Sequence, residues 1–256
     1  MLIAISQRLN GKAAALQLSL ENRLERIMLG WLVLAGLASA VRVGLSPTQA
    51  PIGVAELMPY FLLVVAPFAS MVLALRWFAD GEDQPQPVLR LAHVGKWRTV
   101  PAVEARHHRL YGTSGLMVSL LIGMLMNVPV RAAEYLVAMP AISGPVPAWL
   151  AVLHTMMTLD VVLMSSLYAI AFVAALRRVP LFPRLLVAIW VIDLLMQMVT
   201  AQLVAGTGSL PADVAASLQS LLVGNAKKVL ISAGIWFPYL LMSKRVNVTY
   251  RRRVEA

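Results

Sequence analysis

The sequence predicts an all-α integral membrane protein of six transmembrane helices, preceded by an N-terminal amphipathic helix lying at the interface. Three observations carry that expectation. First, the 256 residues are 59% hydrophobic and only 13% charged, with mean hydropathy +0.75, whereas soluble domains run near ~45–50% apolar and ~25% charged. Second, apolar stretches of about 20 residues, the length that crosses a bilayer as a helix, recur along the chain. Third, the basic residues gather in alternate connections.

Residues 1–25 form the amphipathic segment. Leu2, Ile5, Leu9, Ala13, Leu16, Leu20 and Leu24 recur at three- and four-residue spacing, with Arg8, Asn10, Lys12, Gln17 and Glu21 elsewhere on the wheel. This pattern suits a helix at a cytoplasmic interface. The remainder, 26–256, forms the membrane domain. The first span covers 27–45, with Arg42 snorkelling outward and Ser46-Pro47 ending the helix. Ala38-Ser39-Ala40 imitates a signal-peptidase site, but 26 residues precede the span, long for a leader, and no cleavage is expected.

The second span covers 56–78 and holds Pro59 and Pro67. A polar loop from about 79 to 109 follows, the one sizeable extramembrane piece, in which 88–100 has the composition for short strands. The third span, 110–130, carries Gly112, Gly115 and Gly123, small residues that permit close helix approach. An outer loop, 131–146, precedes the fourth span, 147–176. After a turn rich in Arg and Pro, the fifth span covers 185–203, and a helix from about 211 feeds the sixth, ending at Met242. All 22 Lys and Arg except Arg42, Arg131, Lys227 and Lys228 then fall on one side. The positive-inside rule makes that side, and both termini, cytoplasmic.

The last span has its own character. Pro238 removes an N–H and crowds the carbonyl of Gly234, which predicts a kink there, and the segment is expected to pack against other helices. Trp236 and Tyr239, with Lys244 and Arg245, read as interface anchors. Trp236-Phe237-Pro238-Tyr239 followed by Ser243-Lys244-Arg245-Val246 fits a pattern of roughly I-W-x-P-Y-x-x-x-S-x-R-V. Gly30-Trp31-Leu32 with Leu45-Ser46-Pro47, and Pro180-Leu181-Phe182-Pro183-Arg184-Leu185, complete the set. On these residues the chain resembles an uncharacterised bacterial membrane family known as domain of unknown function 2569, over the first span and the last third to half. The stretch from about 54 to 140 is extra material. The resemblance implies a polytopic inner-membrane fold and no activity.

Chemistry is sought among ionisable residues within spans, which are costly there and functional by default. Asp160, Asp193, Lys227 and Lys228 qualify. Asp193, Gln197 and Thr200 share a stripe with Trp190, and Asn225, Lys228, Ser232, Trp236 and Tyr239 share another. His154, Thr158, Ser165 and Tyr168 line the fourth span, with Asp160 about a third of a turn away. Depth counted along each helix sets Asp160 level with Lys228 and Asp193 deeper, level with Ser232. An Asp160–Lys228 ion pair is the expectation, with Lys227 reaching outer headgroups. A structural role for such a pair is the preferred reading, ahead of a proton- or ion-coupled site.

Net charge +10 would suit nucleic acid in a soluble protein; here it sits in short loops and tails and is better matched to anionic lipid at the cytoplasmic face. No nucleic-acid partner, cofactor or metal is expected. Glu104, His107 and His108 with His93 match no zinc spacing, and the chain has no Cys. No nucleophile, phosphate loop or dinucleotide fingerprint is present. With no catalytic constellation and only a small cytoplasmic loop, the sequence points away from an enzyme and towards a partner or accessory subunit of a membrane assembly, joined to another membrane protein or to a second copy of itself. The alternative is a small proton- or ion-coupled transporter using Asp160, Asp193 and Lys228. A water-accessible cavity reaching either aspartate would favour transport.

Overall fold

The computed structural model describes residues 2–47, 51–89, 91, 94–208 and 210–256, with side chains at Ser19, Leu20 and from Asn22 onward within these. The chain is all-helical. Helices α1 (Leu2–Leu45) and α2 (Val54–Trp77) lead into a 3-10 turn (Gly81–Asp83), strand β1 (Trp97–Thr99) and the short α3 (Ala102–His107). Then follow α4 (Leu116–Ala138), α5 (Ala148–Leu176), α6 (Phe182–Ala205), α7 (Ala212–Met242), α8 (Lys244–Arg251) and strand β2 (Arg253–Glu255).

Five stretches among the described residues are long and apolar enough to cross a membrane: Asn22–Leu45, Val54–Trp77, Leu116–Ala138, Ala148–Leu176 and Phe182–Ala205. The sixth expected span, in α7, is not among them. Its 31 residues are ample, but Asn225, Lys227 and Lys228 dilute the apolar run. Nor does a break separate the expected interfacial helix from the first span, since α1 runs unbroken through Gly11 to Leu45. The apolar stripe expected from Leu2 to Leu16 lies outside the described side chains.

The bundle is built around α5, which packs against α2, α4 and α6, while α1 lies on α2 and α4, and α7 on α6. Ala169, Ala171, Ala174 and Ala175 are almost fully buried on α5, and their small side chains let neighbouring backbones approach. Trp31 Nε1 donates to the Val64 carbonyl at 2.9 Å, tying α1 to α2.

Helix α4 departs most from expectation. Its start is six residues later than the predicted span, because Gly112 and Gly115 take positive φ, 102° and 72°, in the turn before it. They therefore shape a turn rather than a helix contact, and no atom lies within 4 Å of a Cβ built at Gly123. At the other end α4 continues through Pro129 to Ala138, so Arg131 stands inside the helix and not in the outer loop. Pro129 costs only the bond to the Leu125 carbonyl. The helix ends against Arg42, whose Nε donates to the Met139 carbonyl at 3.1 Å and Nη2 to that of Val137 at 3.4 Å. Arg42 is thus a cation at a helix C-terminus, not a free snorkelling side chain.

The end where α2, α5 and α7 finish carries a compact polar layer. β1 pairs antiparallel with β2, Trp97 opposite Glu255 and Thr99 opposite Arg253, so the 88–100 stretch supplies one short strand. Although its sequence is charged, α8 is buried from Val246 to Arg251. Ser243 Oγ caps it by accepting from Val246 N at 3.4 Å, and Asn247 Nδ2 donates back to the carbonyls of Leu241 and Ser243. Thr249 Oγ1 accepts from Gly112 N at 3.0 Å. The Tyr250 hydroxyl donates to the Ala175 carbonyl at 2.8 Å, its ring 5.0 Å from that of Phe182.

Glu82 gathers the inner loop: its carboxylate accepts from Tyr111 and Arg178, both at 3.0 Å, and its carbonyl from Arg252 at 3.0 Å. Burial, then the bond to Glu82, push the Tyr111 hydroxyl above its ordinary pKa. At Gly81 a Cβ would stand 2.7 Å from the Arg177 carbonyl oxygen and 2.7 Å from Val179 Cγ2. Gly81→Ala is expected to cost about 1–3 kcal/mol through this overlap, measured as a lowered thermal midpoint in detergent.

The C-terminal part of α7 packs with one face only. Gly234 and Pro238 are both exposed, with open space beside Gly234, whereas Leu240 is fully buried and Trp236 and Tyr239 pack against the core. Trp236 is half-buried and meets Tyr239 edge-on at 5.7 Å. Lys244 pairs with Glu255, and Arg245 donates to the Leu110 carbonyl at 3.2 Å.

Candidate functional site

Four helices each contribute a polar stripe to one interior space. On α4, Asn127, Arg131 and Glu134 recur at four- and three-residue spacing and share a face. On α6, Trp190, Asp193, Gln197 and Thr200 form the expected stripe, all buried. Asn225, Lys228, Ser232 and Trp236 face the same space from α7, and Asp160 and Tyr168 from α5. All of these except Gln197 and Thr200 line a cavity of about 170 Å³, roomy for water, which needs only ~10–15 Å³ of such volume and a few polar partners.

At its heart one guanidinium holds two carboxylates. Arg131 Nη1 donates to Asp160 Oδ2 at 2.9 Å, Nη2 donates to Asp193 Oδ2, and Nε donates to Asn127 Oδ1 at 3.0 Å. The guanidinium carbon lies 5.9 Å from the Tyr168 ring centroid. Gln197 Nε2 reaches both carboxylates, at 3.3 Å to Asp160 Oδ1 and 3.5 Å to Asp193 Oδ1. The Arg131 and Asp160 side chains are 13% and 12% exposed, and that of Asp193 is fully buried.

From this centre a chain of contacts leads outward. Asn225 Nδ2 donates to Gln197 Oε1 at 3.5 Å, Lys228 Nζ to Asn225 Oδ1 at 3.4 Å, and Lys228 also pairs with Glu134. That outer pair is largely exposed, 62% and 46%.

The expected Asp160–Lys228 pair is therefore replaced by two others, Asp160 with Arg131 and Lys228 with Glu134. Depth counting kept Asp160 and Asp193 apart because it measured only rise along each axis. The long arms of Arg131 and Gln197 reach both carboxylates. Lys227 is exposed and does not line the cavity, whereas Ser232 does. His154 and Thr158 open onto a separate recess with Pro59 and Leu62. Tyr168 sits with Asp160 rather than with them.

Elsewhere, Glu104 pairs with Arg98 at 2.9 Å, His107 Nδ1 lies 2.8 Å from the Val103 carbonyl, and His93 is outside the described residues. Among the described residues no group of three or more His, Asp or Glu is placed to hold a metal ion. Compared with models of known protein families, with curated proteins and with solved structures, the chain matches none.

With every acid and base ionised, the cavity holds Arg131 and Lys228 against Glu134, Asp160 and Asp193. It is one positive charge short. An uncompensated carboxylate away from water is expensive.

Proposed function

We propose that the protein is a small secondary carrier of the bacterial inner membrane, coupled to protons or another cation at Arg131, Asp160 and Asp193. The observation that carries this reading is the cavity reaching both aspartates, joined to the exposed Lys228–Glu134 pair by Asn225 and Gln197. Binding sites between packed helices near mid-span are where small carriers hold their cargo. The accessory-subunit reading rested on the lack of a catalytic constellation and on the small loop 79–109, and a cavity reaching both aspartates favours transport over it. The work proposed is movement of a solute, not bond chemistry.

On this reading α7 is a sixth crossing. Its far end follows α6, and its near end delivers α8 to the residues beside the start of α4 and the end of α5, through Thr249 to Gly112 and Tyr250 to Ala175. A helix that joins opposite ends of the bundle crosses whatever the bundle crosses. Lys227 and Lys228 then sit where the exposed pair meets the outer leaflet. The loop 79–109 and the C-terminal residues share one end, held by β1 and β2. Its many Lys and Arg make that end cytoplasmic and match anionic lipid. Reporter fusions after Gly81, Pro180 and Arg253 are expected to read cytoplasm, and those after Thr48, Gly144 and Gly208 periplasm. A periplasmic signal at Arg253 overturns the sixth crossing.

The functional test uses purified protein in sealed proteoliposomes under an imposed pH gradient, with sodium, potassium or tetramethylammonium chloride supplied in turn as the exchangeable cation and internal pH followed by a trapped dye. Proton movement above that of empty vesicles is expected. Asp193→Asn, which removes the fully buried carboxylate, is expected to reduce it at least about tenfold, the effect of losing an essential proton-transfer group. Equal flux in both refutes the carrier reading.

A further inference from the structure

We infer that the solute is a compact organic cation, a small amine or quaternary ammonium ion, bound at Asp160 and Asp193 in exchange for a proton. This rests on the carrier reading above and names its substrate.

Charge decides the sign. An anion would have to displace Asp160 and Asp193 from Arg131, or Glu134 from Lys228, in a space already carrying surplus negative charge. A neutral solute would leave that surplus unanswered.

The walls decide the chemical class. Trp190, Trp236 and Tyr168 face the cavity beside Met124 and Met157. Aromatic faces attract diffuse cations carried on carbon-substituted nitrogen. Arg131, with its guanidinium over the Tyr168 ring, already shows a nitrogen cation seated among these groups. A hard inorganic cation would instead want several oxygen ligands converging on it, and here carboxylate oxygens are turned to Arg131 and the Gln197 amide. Size sets the upper bound, since about 170 Å³ is below the ~300–1,000 Å³ of pockets for drug-sized ligands.

Counting charge also yields the coupling. Empty, the cavity is at minus one; with one organic cation or one proton it is neutral; with both it is at plus one. In a low-dielectric interior the neutral states are favoured, so cation and proton exclude one another. That mutual exclusion makes the exchange one for one.

The test uses full-length protein in detergent, titrated with tetramethylammonium chloride, sodium chloride and sodium glutamate at matched ionic strength. Binding is followed by calorimetry and by tryptophan fluorescence, since Trp190 and Trp236 line the site. Tetramethylammonium is expected to saturate, with affinity falling about tenfold per pH unit once protons compete, and sodium and glutamate are expected not to. Asp193→Asn is expected to abolish that binding. Trp236→Ala, which leaves every charge in place, is expected to weaken it severalfold. Saturable glutamate binding, or tetramethylammonium binding indifferent to pH and to both variants, overturns the inference. If proteoliposomes show Asp193-dependent proton flux but no tetramethylammonium binds, the substrate assignment falls and the carrier reading stands. If neither is seen, both fall.

Discussion

Arg131→Met is expected to lose most of its stability, about 3–5 kcal/mol, because it leaves Asp160 and Asp193 in the bundle without their cation. The size follows from burial: the Arg131 and Asp160 side chains are little exposed and that of Asp193 not at all, so the few waters that the cavity admits replace only part of what the guanidinium supplies. The same reasoning predicts rescue. Arg131→Met combined with Asp160→Asn and Asp193→Asn removes every charge of the centre, and the triple variant is expected to regain much of the loss. Lys228→Met, at the exposed pair with Glu134, is expected to cost well under half as much. The measurement is the thermal midpoint of the monodisperse peak in mild detergent. A single variant as stable as the parent, or a triple variant no better than the single, would remove the ion-pair account of the centre.

The second large effect is expected far from the cavity, at Tyr250. Its side chain is fully buried, its ring lies against Phe182 and its hydroxyl donates to the Ala175 carbonyl. Tyr250→Ala leaves a cavity the size of an aromatic ring and is expected to cost about 3–5 kcal/mol. Tyr250→Phe keeps the packing and removes one hydrogen bond, at about 0.5–1.5 kcal/mol, because the Ala175 carbonyl still accepts from Arg178 N at 3.1 Å. The ranking of the two midpoints separates packing from hydrogen bonding. Equal, small shifts for both would mean that α8 is not docked as described.

Apolar runs made the helical membrane class legible in the sequence, and the period of α6 placed Trp190, Asp193, Gln197 and Thr200 on one buried stripe. What escaped was the cation. Arg131 directly follows the apolar run 110–130, and a charge at the end of such a run reads as the start of a loop. The signal that recovers it is Asn127, Arg131 and Glu134 at helical spacing, polar on one face of a helix that is otherwise apolar. Helix α8 was hidden for a different reason. Charge density marked the stretch after Ser243 as a solvated tail, yet its Arg and Lys reach carbonyls and Glu255 while Val246, Val248 and Tyr250 go inward. Burial of so short a helix comes from its docking partners, Gly112, Ala175 and Phe182, and no local pattern announces them. Gly234 erred in the opposite direction: a glycine one turn before a proline suggests a crowded bend, but the outward face of α7 has space to spare.

The charged centre is assembled from three successive helices, and this has a consequence for biogenesis. Arg131 belongs to α4, whereas Asp193 lies 62 residues further along, beyond α5. If spans enter the bilayer in order, α4 must be inserted while its second counter-ion is still unmade, for roughly 3–12 seconds at ~5–20 residues per second. A lone arginine at a helix centre is charged about 2.5–3.5 kcal/mol by the insertion machinery. Only seven residues separate Arg131 from Ala138, which sets it towards the end of α4, where a lone cation is less costly than at a helix centre. Completion of this centre is thus a late step in the maturation of the bundle, set by the order in which the ribosome delivers a cation and its two anions.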